Sequence, residues 1–152
     1  MKHVLVITFL ISIMGLSSCY FGPESPRGFS LPEGDVEKGK LVFVKYQCLS
    51  CHKMSGMEPA TDLVDNPDIS VRIGGKTTSV KTYADLLTSV INPSHKLARG
   101  YKRSLVEEGG VSKMKVYNEV MTVSELVDLV TFLESSYELE AYNPTSYNLY
   151  RY

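Results

Sequence analysis

The most specific chemistry in this chain lies in five consecutive residues. Cys48-Leu49-Ser50-Cys51-His52 is a C-x-x-C-H sequence, the pattern for covalent attachment of a c-type haem. The spacing has a chemical reason: two thiols three positions apart can each bond one vinyl group of a porphyrin, and the next side chain is placed to reach the iron. Cys48 and Cys51 are therefore expected as thioether anchors and His52 as the proximal iron ligand, with one haem c as the cofactor. Two other chemistries use similar pairs. A redox-active C-x-x-C follows a buried strand within a βαβ unit, whereas Asp35 to Gln47, ahead of this pair, reads as an amphipathic helix. A zinc site draws about four ligands from Cys and His. Once Cys19 is set aside, only the distant His95 could join Cys48, Cys51 and His52.

The other face of the iron decides what such a centre does. Met/His ligation raises the reduction potential and suits electron transfer, whereas a vacant position admits ligands or catalysis. The sequence offers Met54, Met57, Met114, Met121 and His95. Met54 and Met57 follow His52 too closely to cross easily to the opposite face of a macrocycle. Met121 directly precedes a helix cap in apolar surroundings that suit the core, and Met114 lies further upstream on the same loop. His95 follows Asn92-Pro93-Ser94, where a His commonly serves as a loop residue or haem-edge contact. A bis-His centre built on it would have the lower potential.

Three helices are expected to position these groups. Asp35 is a plausible N-cap, and Val36, Leu41, Phe43, Val44 and Gln47 carry a helical segment to Cys48. A second helix should run from about Thr82 to Ile91, with Asp85 three residues after its cap, Asn92-Pro93 as its stop and Leu86, Leu87 and Val90 inward. The clearest is the last. Thr122-Val123-Ser124-Glu125 forms a capping box, and Val123, Leu126, Val127, Val130, Leu133 and Tyr137 follow a 3.6-residue period, so this helix should extend to about Leu139. Gly74-Gly75 and Gly109-Gly110 read as loops, and no sustained period-two alternation demands a sheet. The expected fold class is all-α.

The 152 residues are 43% hydrophobic, with 16 Lys plus Arg against 17 Asp plus Glu. That suits one compact domain and offers no basic excess to hold a nucleic-acid backbone. Lys2 is followed by an apolar run of about 13 residues, Val4 to Leu16, shorter than the roughly 20 of a membrane-spanning helix; Ser17 and Ser18 close a signal-peptide profile. Leu16-Ser17-Ser18-Cys19 resembles the lipobox of bacterial lipoproteins, which implies lipidation of Cys19 and membrane attachment through its acyl chains. The divisions expected are a lipoprotein signal peptide over 1–18, a Pro- and Gly-bearing tether over 19–34, a haem domain over 35–139 and a Tyr-rich tail over 140–152. That tail could wrap over its own domain or mark an interface.

Gly34 to Tyr137 as a whole resembles the class I monohaem cytochromes c. The stretch Gly34-Asp35-Val36-Glu37-Lys38-Gly39-Lys40-Leu41-Val42-Phe43 looks like that family's first helix leading to the haem motif. Tyr83 to Tyr101, with Ile91-Asn92-Pro93-Ser94 and Gly100-Tyr101, looks like the middle segment of many bacterial members, and Met114 to Leu133 like the axial-Met loop and last helix. The resemblance implies a cytochrome c-like fold of three to five helices around one covalently bound haem, with Gly39 and Phe43 crossing Leu129 and Phe132. It implies Met114 as the sixth ligand, although Lys115 stands where many relatives have Pro, with Met121 and His95 as alternatives. It suggests Pro59 and Leu63 for a segment whose backbone accepts a hydrogen bond from the proximal His. Tyr101 would touch a propionate or pack on the ring.

The expected function is electron transport, not catalysis: a periplasm-facing, lipid-anchored cytochrome between redox enzymes of a respiratory or dehydrogenase chain. The alternatives are a small-ligand binder or small catalyst with an open sixth position, or a fixed subunit of an oxidoreductase complex. From Lys96 to Lys115 six cations (Lys96, Arg99, Lys102, Arg103, Lys113, Lys115) face two anions, Glu107 and Glu108. Such a surface would steer the protein toward an acidic redox partner.

Overall fold

The first helix begins for a local reason. The Asp35 carboxylate accepts the N–H groups of Glu37 at 2.9 Å and Lys38 at 3.0 Å, donors that a helix N-terminus otherwise leaves without partners. In the computed structural model, which describes residues 30–58 and 69–141, this helix is α1, Val36–Lys45. All of these residues except Ser30 and Leu31 belong to one unit, Pro32–Tyr152. Two further helices start at the expected caps. Thr82 accepts the Asp85 N–H ahead of α2, Tyr83–Ile91, and Thr122 and Glu125 close a reciprocal capping box ahead of α4, Val123–Ser135. Between them lies one turn of helix, α3, Arg103–Val106.

An all-α fold is not what forms. Helix and strand are mixed, at 38% and 16% of the described residues, with short helices and small sheets, and this overturns the expected all-α, cytochrome c-like fold of three to five helices. The strands make three two-stranded sheets. β1, His52–Lys53, runs parallel to β2, Val71–Arg72; β3, Gly75–Thr77, runs parallel to β6, Tyr137–Leu139; and β4, Glu107–Glu108, is antiparallel to β5, Val111–Ser112. None is longer than three residues, so none can display an alternating pattern. Gly109 and Gly110, with φ of 58° and 85°, form the two-residue turn of the β4–β5 hairpin. Two successive positive φ values are what such a turn requires and what glycine adopts without strain.

The same pairing corrects the end of the last helix. α4 stops at Ser135, not near Leu139, because residues 137–139 are drawn into hydrogen bonding with β3. Val123, expected inward, is 72% exposed, while Leu129 and Phe132 join Val127, Val130 and Leu133 in the core. On α1 only Gly39, Val42 and Phe43 are buried; Leu41 and Val44 face outward.

α1 and α4 cross at Gly39. A Cβ there would collide with the Asp128 carbonyl oxygen and come within 2.6 Å of the Phe132 Cβ, so the absence of a side chain lets the two backbones meet. One turn on, the Phe43 and Phe132 rings pack tilted at 57° with centroids 5.6 Å apart. Leu86 and Val90 of α2 complete this core. Among the described residues no helix is long and apolar enough to cross a membrane.

Glu125 joins the far ends of the two crossing helices. Besides its part in the capping box it pairs with Lys45 and accepts from the Tyr46 hydroxyl. The Lys45 ammonium, first, and the Thr122 N–H pull its carboxyl down from the ordinary 4.5 to about 2. The unfolded chain therefore takes up this proton more readily, and the stability Glu125 contributes is complete above about pH 4.5 and lost as pH falls toward 2. In thermal melts, Glu125→Gln should lower the midpoint by a constant amount above pH 5, with the gap to wild type closing below pH 4. A gap that persists at pH 2 would show that the charge is not its source.

Candidate functional site

The C-x-x-C-H segment is shaped by a sharp end to α1. Gln47 adopts a left-handed conformation, φ 53°, and the chain then tightens into a single turn over Cys48–Ser50, with the Cys51 N–H donating to the Cys48 carbonyl at 3.3 Å. The two thiols are thus held by one turn of backbone. Both are free and half-buried. Burial pushes the Cys48 thiol up to about 11, which keeps it protonated at neutral pH.

His52 is placed by β2. The Val71 N–H donates to the Cys51 carbonyl and the Ile73 N–H to the Lys53 carbonyl, each at 2.9 Å, so the motif is clamped on both sides of the histidine. His52 Nδ1 lies 3.2 Å from the Val71 carbonyl oxygen. A carbonyl can only accept, so Nδ1 carries the proton and Nε2 is left with a free lone pair, the tautomer a metal-ligating histidine needs. Burial, the larger influence, lowers the His52 pKa while the Val71 carbonyl partly opposes it, and the ring is neutral at pH 7. Pro59 and Leu63, suggested for this acceptor role, lie outside the described residues, as does Cys19.

Tyr101 braces the clamp. Its hydroxyl oxygen accepts the Arg72 N–H at 3.0 Å. Tyr101→Phe removes that acceptor from the exposed Arg72, whose N–H can turn to water. The expected loss is about 1 kcal/mol in urea unfolding; a loss above 3 kcal/mol would mean that the hydroxyl holds more than this strand.

Cys48, Cys51, His52, Tyr101 and Met114 all line one cavity of about 630 Å³, within the range typical of cofactor sites. Met114 reaches it from just beyond β5, its N–H held by the Ser112 hydroxyl at 3.2 Å. Met121 lines the cavity too. Met54 is buried in the core and Met57 packs against that core; neither belongs to the lining. Nor does His95, whose Nδ1 sits 2.8 Å from the Asn92 carbonyl oxygen.

The charged lining is one-sided. Lys96, Arg99 and Lys113 come from the cationic stretch seen in the sequence, Arg72 and Lys81 from elsewhere, and Asp85 is the acid among them. Phe43, Leu86, Leu97 and Leu133 supply apolar surface. Two thiols, a neutral imidazole with a free nitrogen, thioether sulfurs, apolar walls and cations together fit a flat apolar macrocycle that carries iron and two carboxylates. Among the described residues no three His, Cys, Asp or Glu side chains gather to hold a bare metal ion.

Sequence reasoning did not reach the Val71 carbonyl, a backbone group 19 positions from His52 with no residue-type signal. It also did not reach Arg72 and Lys81, isolated cations brought in by the fold. In comparisons with family models, curated proteins and solved structures, nothing matches this chain.

Proposed function

We propose that this chain holds one haem c and passes single electrons, as a c-type cytochrome anchored by lipid at Cys19 and facing the periplasm. The observation that carries the reading is the convergence of Cys48, Cys51, His52 and Met114 on one cavity, with His52 turned by Val71 into its ligating tautomer. In the bound state the group supplies a one-electron couple whose potential its axial ligands tune. Cys48 and Cys51 would hold it covalently, His52 and Met114 would supply its iron ligands, and the clamp from β2 keeps the imidazole from turning. Fixed ligands limit rearrangement when charge changes, which favours transfer over catalysis. Lys96, Arg99 and Lys113 offer a cationic approach for an acidic redox partner in a respiratory or dehydrogenase chain, whether met in passing or as a fixed neighbour.

The test is an optical spectrum of the purified protein, oxidised and reduced, before and after carbon monoxide, with the mass of the denatured chain. A chain heavier by one haem and a low-spin spectrum unaltered by carbon monoxide are expected. No covalent haem would overturn the proposal. Ready carbon monoxide binding would move it to a small-ligand binder with an open sixth position.

A further inference from the structure

The segment that bears Met114 is held in an unusual way. From Met114 to Tyr117 the chain forms neither helix nor strand, and a turn follows over 118–120. Little apolar burial secures it, since Val116 is 60% and Val120 66% exposed. Its position depends on hydrogen bonds. Asn118 donates to the Ile91 carbonyl at 2.8 Å, and two tyrosine hydroxyls tie the loop to the end of α1: Tyr117 Oη donates to the Tyr46 carbonyl at 2.9 Å, while Tyr46 Oη lies 3.1 Å from the Val120 carbonyl oxygen. Their rings pack with centroids 5.0 Å apart. Tyr46 is the residue that ends α1, two positions before Cys48.

We propose that the Tyr46–Tyr117 pair is a positioning latch: it fixes the Met114 loop relative to the Cys48–His52 segment and thereby sets how readily the sixth iron position opens to an outside ligand. This rests on the proposed haem site and adds what controls it. A loop with few buried contacts opens locally at a low free energy, so single hydrogen bonds weigh heavily in its closing equilibrium. Tyr46 Oη has one hydrogen, shared between the Val120 carbonyl and the Glu125 carboxylate, both at 3.1 Å. The same tyrosine thus ties the loop to the start of α4. Phe at either position keeps the ring contact and removes only the hydroxyl.

The experiment compares wild type, Tyr117→Phe and Tyr46→Phe by amide hydrogen exchange and by carbon monoxide uptake of the reduced protein. The Val120 and Met121 N–H groups, both bonded to the Tyr117 carbonyl, should exchange about three- to tenfold faster in either variant, with Leu129 in α4 unchanged. Carbon monoxide uptake should quicken by a similar factor. Val130→Ala, a core truncation, separates positioning from stability: it should lower the melting temperature without quickening uptake. Unchanged exchange at Val120 and Met121 would overturn the latch, and faster exchange with unchanged uptake would overturn its control of the sixth position. A wild-type chain without haem would instead overturn the proposed function, and the exchange comparison on that chain would still decide whether the latch exists.

Discussion

On the proposed haem site, replacing Met114 with Ala should turn a reduced protein expected to resist carbon monoxide into one that binds it fully, and should lower the midpoint potential by a sizeable part of the roughly 0.8 V that iron ligands span. Both effects would follow from removing the proposed neutral sulfur ligand, which favours the reduced iron, and leaving its position open. Met121 provides the control, because its side chain also lines the cavity. It packs against the core as well, so Met121→Ala should reduce stability while leaving the spectrum low-spin and unresponsive to carbon monoxide. The reverse pattern, with Met121→Ala opening the site and Met114→Ala silent, would exchange the two assignments. His95→Ala should change neither reading.

Gly39→Ala should be the most damaging single-methyl change in the fold. Helix propensity alone favours Ala over Gly by about 1 kcal/mol. Against that stands the crossing with α4, where the added carbon would meet the Asp128 carbonyl and the Phe132 Cβ at 2.6 Å. Neither can swing aside, because one is backbone and the other the root of a side chain. Overpacking of this kind costs about 3 kcal/mol when the obstacle cannot move, so the net loss should be about 2 kcal/mol or more, a large share of a domain's stability. Urea unfolding should show a lower midpoint at an unchanged slope. A midpoint equal to that of wild type would mean that the helices separate without penalty and that the Phe43–Phe132 contact does not depend on their distance.

Helix starts were legible because a cap is a local device: Asp35, Thr82 and Thr122 each announce themselves by one side chain within three residues of the N–H it accepts. The close approach at Gly39 was legible through the resemblance. The sheets were not, since strands of two or three residues carry no periodicity, and two of the three pairings join segments far apart in the chain. That is also why α4 was read too long: Tyr137 continues the helical spacing, but its backbone pairs with Gly75. In the site, the residues with reactive side chains could be picked from type and spacing, whereas what orients them is mostly backbone. The Val71 carbonyl turns His52, and the Arg72 N–H engages Tyr101. The Gly109-Gly110 pair does carry a hairpin signal, two glycines between short segments, and it forms the β4–β5 turn.

The clamp on His52 also bears on how the chain folds. His52 waits for Val71, 19 positions on; Tyr46 waits for Tyr117, 71 positions on; and the Asp35 N–H bonds the Asp128 carboxylate across 93 positions. Contacts at such separations must overcome loop-closure entropy before they contribute anything, and chains dominated by them fold slowly for their size. The order of synthesis sharpens this, since the thiols and imidazole emerge well before α4, the helix that α1 packs against. Cys48, Cys51 and His52 are therefore made long before Met114, the group they face across the cavity, and the site is complete only once the C-terminal half of the chain has followed.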